Sequence, residues 1–166
     1  MCYNVVSILD LSILNLNVKV IIMVCTFFGH ADTPDEAQRT LHSSLVDLIE
    51  NKNVDLFYVG NNGNFDSIVR NELETLSKTY PIKYFVVLAY MPKYDSMIKN
   101  TILPEGIENH PPRFAIAFRN RWMIKKSDYV VTYVTRSFGG AYKFKTLSVT
   151  KNKTVIEISA DSPFSA

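Results

Sequence analysis

Three short segments of this chain carry residue types suited to holding a phosphorylated small molecule. They are Gly29-His30-Ala31-Asp32, Gly60-Asn61-Asn62-Gly63, and Gly139-Gly140-Ala141. Glycine lets a ligand approach the backbone. Asn and Asp offer amide and carboxylate groups to a sugar or a base. A helix amino terminus beyond such a loop presents free N–H groups and a partial positive charge to an anion. Each segment alone also reads as an ordinary turn, because Asn and Gly tolerate left-handed backbone, and His30 alone reads as a hydrogen-bonded structural histidine. Their triple occurrence favours the ligand reading.

The elements that must position these loops follow from apolar patterning. Residues 19–28, 54–59, 82–90, 128–134 and 153–158 are short runs rich in β-branched and aromatic residues, the pattern of buried parallel strands. Between them, residues 36–51 place Leu41, Leu45, Leu48 and Ile49 at helical spacing. Phe65, Ile68, Val69, Leu73 and Leu76 repeat that spacing ahead of Pro81, and residues 113–126 and 141–151 complete four helices. Thr33 or Asp35 is placed to cap the first helix, with Pro34 in its first turn. Residues 91–112, with Pro92, Pro104, Gly106, Pro111 and Pro112, are irregular, either a pocket wall or a surface excursion. Strand and helix alternate throughout. The expected fold is therefore α/β, a Rossmann-like three-layer sandwich with a mainly parallel sheet of about five strands. All three loops follow strands, so they gather at the carboxyl ends, where open α/β sheets bind ligands.

Composition narrows the function classes. At 166 residues, 47% of them hydrophobic and 20% charged, the chain suits one folded domain with one core. A net charge of +2 makes a nucleic-acid surface an unfavoured reading; the densest basic stretch, Arg113, Arg119, Arg121, Lys125 and Lys126, reads as a solvated helix face. Cys2 and Cys25 share no metal-ligand spacing with the three histidines, and His30 and Asp32 are too isolated for a metal site. No metal or cofactor is expected, and the absence of a disulfide framework points to a reducing cytoplasm. Residues 5–24 are apolar, but Asp10, Asn15, Asn17 and Lys19 interrupt them, which argues against a membrane span. Residues 1–4 lack the positive charge of a signal peptide. Residues 1–18 read as an accessory segment or an upstream extension with Met23 as the start, residues 19–158 as the domain, and residues 159–166 as a flexible tail. The chain has no GxGxxG after its first strand, no Walker-type GxxxxGK[ST], no GxSxG and no HExxH.

Four segments, FFGHAD (27–32), FYVGNNGNFD (57–66), RNRWMIKKSDYVV (119–131) and FGGA (138–141), together resemble the SLOG superfamily. This Rossmann-like group includes the Lonely Guy phosphoribohydrolases and the Rossmann domain of DNA-processing protein A. The nearest branch is that of small bacterial and phage proteins with a GHRD-like first loop. The resemblance spans residues 25–158 and implies a pocket for a nucleotide or nucleotide-derived molecule, in an enzyme or a sensor. It also implies a homodimer, for which Phe118 and Trp122 would supply contacts if they are not core. The Lonely Guy enzymes carry RKxxM, then Asp and a strand, then PGGxGTxxE. Arg119, Met123 and Asp128 match the first part, and Gly139 and Gly140 match the paired glycines. The catalytic Glu of the last motif has no counterpart, since Ala141, Tyr142 and Lys143 follow the glycines. Cleavage of an N-glycosidic bond needs a carboxylate, so this departure favours ligand sensing or sequestration over catalysis. In an enzyme, Arg119 with Asp32 (or Asp66) would carry the reaction. The ligand-binding set implied is Gly29, His30, Asp32, Gly60, Asn61, Asn62, Gly63, Arg119, Asn120, Gly139, Gly140 and Ala141. Arg113, six residues before Arg119, falls on a different helix face.

Overall fold

A computed structural model describes residues 21–91 and 99–160. The segment expected at residues 1–18, the first residues of the expected opening strand, part of the irregular stretch and most of the expected tail lie outside the described residues. Among the described residues, six strands and four α-helices follow one another as β1 (Met23–Gly29), α1 (Ala37–Lys52), β2 (Val54–Val59), α2 (Asn64–Leu76), β3 (Lys83–Val87), β4 (Thr101–Ile102), α3 (Ala115–Lys126), β5 (Tyr129–Tyr133), α4 (Gly139–Thr150) and β6 (Thr154–Glu157). All strand pairs are parallel, in the order β4-β3-β2-β1-β5-β6. This is the α/β architecture of a Rossmann-like sandwich. The sheet has one strand more than the apolar runs indicate. The extra strand, β4, is two residues long in the Pro-rich stretch, too short to show periodicity. Val86 N–H donates to Asn100 O at 2.8 Å and Leu88 N–H donates to Ile102 O at 2.9 Å, which closes that edge.

Side-chain alternation along each strand divides the core into two layers. Cys25 and Phe27 of β1, Phe57 and Val59 of β2, and Val131 and Tyr133 of β5 face α1 and α2, where they meet Leu41, Leu45, Leu48, Phe65, Val69 and Leu73. Phe28, Val87 and Val130 face α3 and α4, where they meet Met123, Ile124 and Phe144. Two helices on each face bury residues 24–28 of β1, which are apolar except for Thr26, whose hydroxyl donates to Tyr58 O at 2.9 Å. Cys25 is fully buried, and burial pushes its thiol far above the ordinary range, so it behaves as a small apolar side chain.

Helix ends differ from expectation in two places. Neither Thr33 nor Asp35 caps α1: the Thr33 hydroxyl donates to His30 O at 2.7 Å, and Asp35 accepts from Asn64 Nδ2 at 3.0 Å. Both side chains tighten the β1–α1 loop instead. Helix α4 begins at the glycines, two residues before the expected start, because Gly139, at φ +87°, turns the chain into it. Asn53, in left-handed conformation at φ 54°, ends α1 and returns its N–H to Leu48 O, a common helix stop.

Strand β1 is followed in sequence by its neighbour on one side, β2, and abuts the late strand β5 on the other. The chain direction across the sheet reverses there. At such a switch point the loops leaving adjacent strands diverge onto opposite faces and open a crevice.

Candidate functional site

A cleft of about 130 Å³ lies beyond the carboxyl ends of β1 and β2, bounded by α2, α3 and the amino terminus of α4. Its walls include Gly29, Gly60, Asn62, Asp66, Arg119, Asn120, Gly140 and Ala141, with Phe28, Ile116, Met123 and Phe144 supplying apolar surface.

Arg119 is the central group. It is 3% exposed, yet none of its hydrogen bonds goes to a carboxylate. Nε donates to Asn120 Oδ1 at 3.0 Å; Nη1 donates to Asn61 Oδ1 at 2.9 Å, to Asn62 Oδ1 at 2.8 Å and, more weakly, to Val87 O at 3.4 Å. The amides of the GNNG loop thus orient Arg119 through their oxygens, a role the sequence reading did not give them. Among the described residues Nη2 has no acceptor. The only sealed side-chain polar atom without a partner among them is Thr132 Oγ1, so Nη2 reaches the cleft. Burial works against the charge, but an arginine keeps its proton in proteins. The cleft wall therefore carries one positive charge held in a fixed direction.

Asp66 comes from the opposite helix layer. It sits in the first turn of α2, is 8% exposed, and its Oδ2 accepts the Asn62 N–H at 2.9 Å. Burial pushes its carboxyl well above the usual range, partly offset by that N–H and by the charges of Arg119 and Arg70. The side chains of Asp66 and Arg119 approach each other over Gly60. A Cβ on Gly60 would lie 2.4 Å from Asp66 Oδ2 and 3.2 Å from Arg119 Nη2. The missing side chain at Gly60 is what leaves room for both. Gly63, at φ +92°, and Asn64 fix the start of α2 against the β1 loop: Asn64 N–H donates to Ala31 O at 2.9 Å, and a Cβ on Gly63 would fall 2.6 Å from Ala31 Cα.

The other expected residues divide into two groups. Gly29 lines the cleft, but the need for glycine there comes from Phe65, whose Cγ would lie 2.2 Å from an added Cβ. Gly140 and Ala141 line it at the start of α4, where Phe138 in the cap position provides no side-chain hydrogen bond. Gly139 shapes the turn and does not line the cleft. His30 and Asp32 belong to a separate hollow of about 120 Å³ with Thr33, Pro34, Tyr133, Thr135 and Arg136. Thr135 N–H donates to His30 Nε2 at 3.1 Å, which ties the β1 and β5 loops together. Burial and the nearby Arg136 hold His30 below its ordinary range, in keeping with a neutral ring that accepts at Nε2. Asp32 forms a two-point ion pair with Arg136, at 2.6 and 3.1 Å, and that guanidinium holds its carboxyl below the usual range. Arg119 and Asp32 are therefore not brought together, whereas Arg119 and Asp66 are.

Phe118 and Trp122 pack within the chain. The Trp122 ring lies 5.2 Å from Tyr58, and Phe118 lies 4.0 Å from His110. Arg113 is exposed and stacks over Phe114, away from the cleft face that holds Arg119. Among the described residues no cluster of three or more His, Cys, Asp or Glu is arranged to hold a metal ion, and no helix is long and apolar enough to cross a membrane. Compared with known proteins, this chain matches no family model and no curated relative.

Proposed function

We propose that this chain is a SLOG-type domain that binds a nucleotide or nucleotide-derived small molecule at the carboxyl ends of its strands, as a sensor or sequestering protein. The observation that carries this reading is Arg119, a buried guanidinium with one nitrogen directed into a cleft and no carboxylate partner within ion-pair distance among the described residues. Burying a charge without a hydrogen-bonded countercharge is expensive, and an anionic ligand supplies that direct partner. The uncapped start of α4, with Gly140 and Ala141 in the cleft wall, offers backbone N–H groups to the same anion. The cleft volume of about 130 Å³ is below the ~300–1,000 Å³ of pockets that enclose a whole drug-sized ligand. It suits the phosphate–sugar end, with the base outside near the exposed Ile116, Phe138 and Tyr142.

The test is a thermal-shift screen of nucleotides, cyclic nucleotides and ADP-ribose derivatives, with Arg119→Ala as control and product analysis of each hit. A ligand that binds only the folded state raises the melting temperature. Stabilisation that depends on Arg119 and leaves the ligand intact supports a sensor. Absence of any stabilising nucleotide overturns the reading. A nucleotide hydrolase resembling a nucleoside 5′-monophosphate phosphoribohydrolase is the second reading. It is favoured by Asp66, a buried carboxyl in the cleft wall that could serve the role of the missing Glu. Release of free base from a nucleoside monophosphate would establish it. A cytoplasmic location and action without nucleic acid complete the proposal, supported by the inert buried Cys25 and the net charge of +2.

A further inference from the structure

We propose that Asp66 acts in its acid form as a hydrogen-bond donor to the ligand, so that the cleft selects a terminal phosphate or similar oxyanion by holding one oxygen between Asp66 and Arg119. The inference rests on the nucleotide-binding reading and adds the protonation state and the group recognised.

The geometry comes first. Asp66 and Arg119 carry opposite formal charges and face each other over Gly60, yet no ion pair closes between them. Arg119 is held back by three asparagine oxygens, from Asn61, Asn62 and Asn120. Asp66 is held by the Asn62 N–H on Oδ2, and its Oδ1 has no donor among the described residues. A carboxylic acid in this position still accepts the N–H on Oδ2 and has one O–H to donate to the ligand. Asp66 Oδ2 and Arg119 Nη2 lie on two sides of the space over Gly60, so the carboxyl O–H and Nη2 are two donors to one cleft. A tetrahedral oxyanion accepts from both. A neutral Asp66 also leaves the Arg119 charge uncancelled for that anion, whereas an ionised Asp66 would repel it.

The charged groups bearing on Asp66 are Arg119 from α3 and Arg70 from its own helix. Tyr90 bears on Arg119 from beyond β3. Burial outweighs both arginines and raises the Asp66 carboxyl.

The experiment is a titration of the full chain with sulfate between about pH 5 and 9, a range in which sulfate itself does not change charge, so that any pH dependence belongs to the protein. Calorimetry in buffers of different ionisation enthalpy reads proton uptake on the same samples. The expected result is affinity that falls by up to about tenfold per pH unit once the free site ionises, with one proton taken up on binding. Asp66→Asn, whose amide can donate but cannot ionise, is expected to remove the pH dependence of the sulfate binding that remains. Proton linkage in the unaltered protein tests the idea even if that variant folds poorly. Affinity for ribose that rises with pH, with sulfate binding indifferent to pH, would overturn the proposal and make Asp66 an ionised acceptor for a sugar hydroxyl. No sulfate binding, with Arg119-dependent stabilisation by nucleotides retained, overturns the oxyanion placement alone. Loss of both sulfate and nucleotide binding overturns the nucleotide reading with it.

Discussion

Gly140→Ala separates the needs of the fold from those of the ligand at the start of α4. Gly140 lies in the first turn of α4, and a Cβ there would meet no heavy atom within 4 Å. The fold has no steric use for glycine at this position. Glycine within a helix costs about 0.5–1 kcal/mol relative to alanine, and a first-turn position puts the gain near about 0.5 kcal/mol. In a chain of this size that is a rise of roughly 1–2 °C in melting temperature. The ligand gives the opposite sign. Gly140 lines the cleft, and a methyl beside its N–H would hold an anion away from the helix terminus. A hydrogen bond to a charged group is worth about 1.5–3 kcal/mol, so affinity should fall roughly ten- to hundredfold. Chemical denaturation gives the first quantity and calorimetry with sulfate or a stabilising nucleotide the second. A variant that is more stable but binds less well is the expected outcome. Unchanged affinity would show that the anion does not use the α4 terminus; lower stability would show that Gly140 is packed in a way its empty surroundings deny.

Gly29→Ala should behave differently, because its Cβ would fall 2.2 Å from Phe65 Cγ and Phe65 is 1% exposed and stacked on Tyr133. Overpacking of this kind costs about 1–3 kcal/mol, and the enclosed ring puts the expected loss near about 3; an unchanged denaturation midpoint would refute the packing argument. His30→Ala removes the acceptor of the Thr135 N–H and should cost about 1 kcal/mol at neutral pH. Because the folded protein holds His30 below its ordinary range, that contribution is complete above about pH 6.5 and is lost as pH falls toward the folded value, so the variant and the parent should converge in acid. A constant difference across pH would show that the neutral ring is not what matters. Thr132→Val replaces a sealed hydroxyl without a partner by a methyl of the same shape and should stabilise by about 1 kcal/mol in urea unfolding; destabilisation would reveal a hydrogen bond to that hydroxyl.

The sheet and its helices were legible because each element carries its own period. The apolar runs of β1 and β5 and the spacing of Leu41, Leu45 and Leu48 are local facts, and the buried side chains follow them closely. Strand β4 was not legible, since two residues show no period and its pairing with Val86 and Leu88 depends on chain distant in sequence. The site divides along the same line. Glycines after strands could be seen, and so could the family-like position of Arg119. Their reasons could not. Gly29 and Gly60 serve as empty space for Phe65 and for the Asp66–Arg119 approach, and those partners sit on other elements. The loop asparagines, read as ligand contacts, turn their oxygens onto an arginine 57 and 58 residues away.

That displacement of roles has a physical logic. A buried cation must be held by something if no carboxylate is to neutralise it. Neutral acceptors can do this without cancelling its charge. Three asparagine oxygens fix Arg119 in direction and leave it electrostatically available. Had Asp32 closed on Arg119 instead of on Arg136, the cleft would hold an internal salt bridge and no net attraction for an anion. Asp32 instead pairs with Arg136 in the neighbouring hollow, and the direct partners of Arg119 among the described residues are neutral acceptors. That arrangement predicts the direction of a swap: Asn62→Asp, which places a carboxylate on Nη1, should tighten the fold around Arg119 and weaken oxyanion binding at the same time.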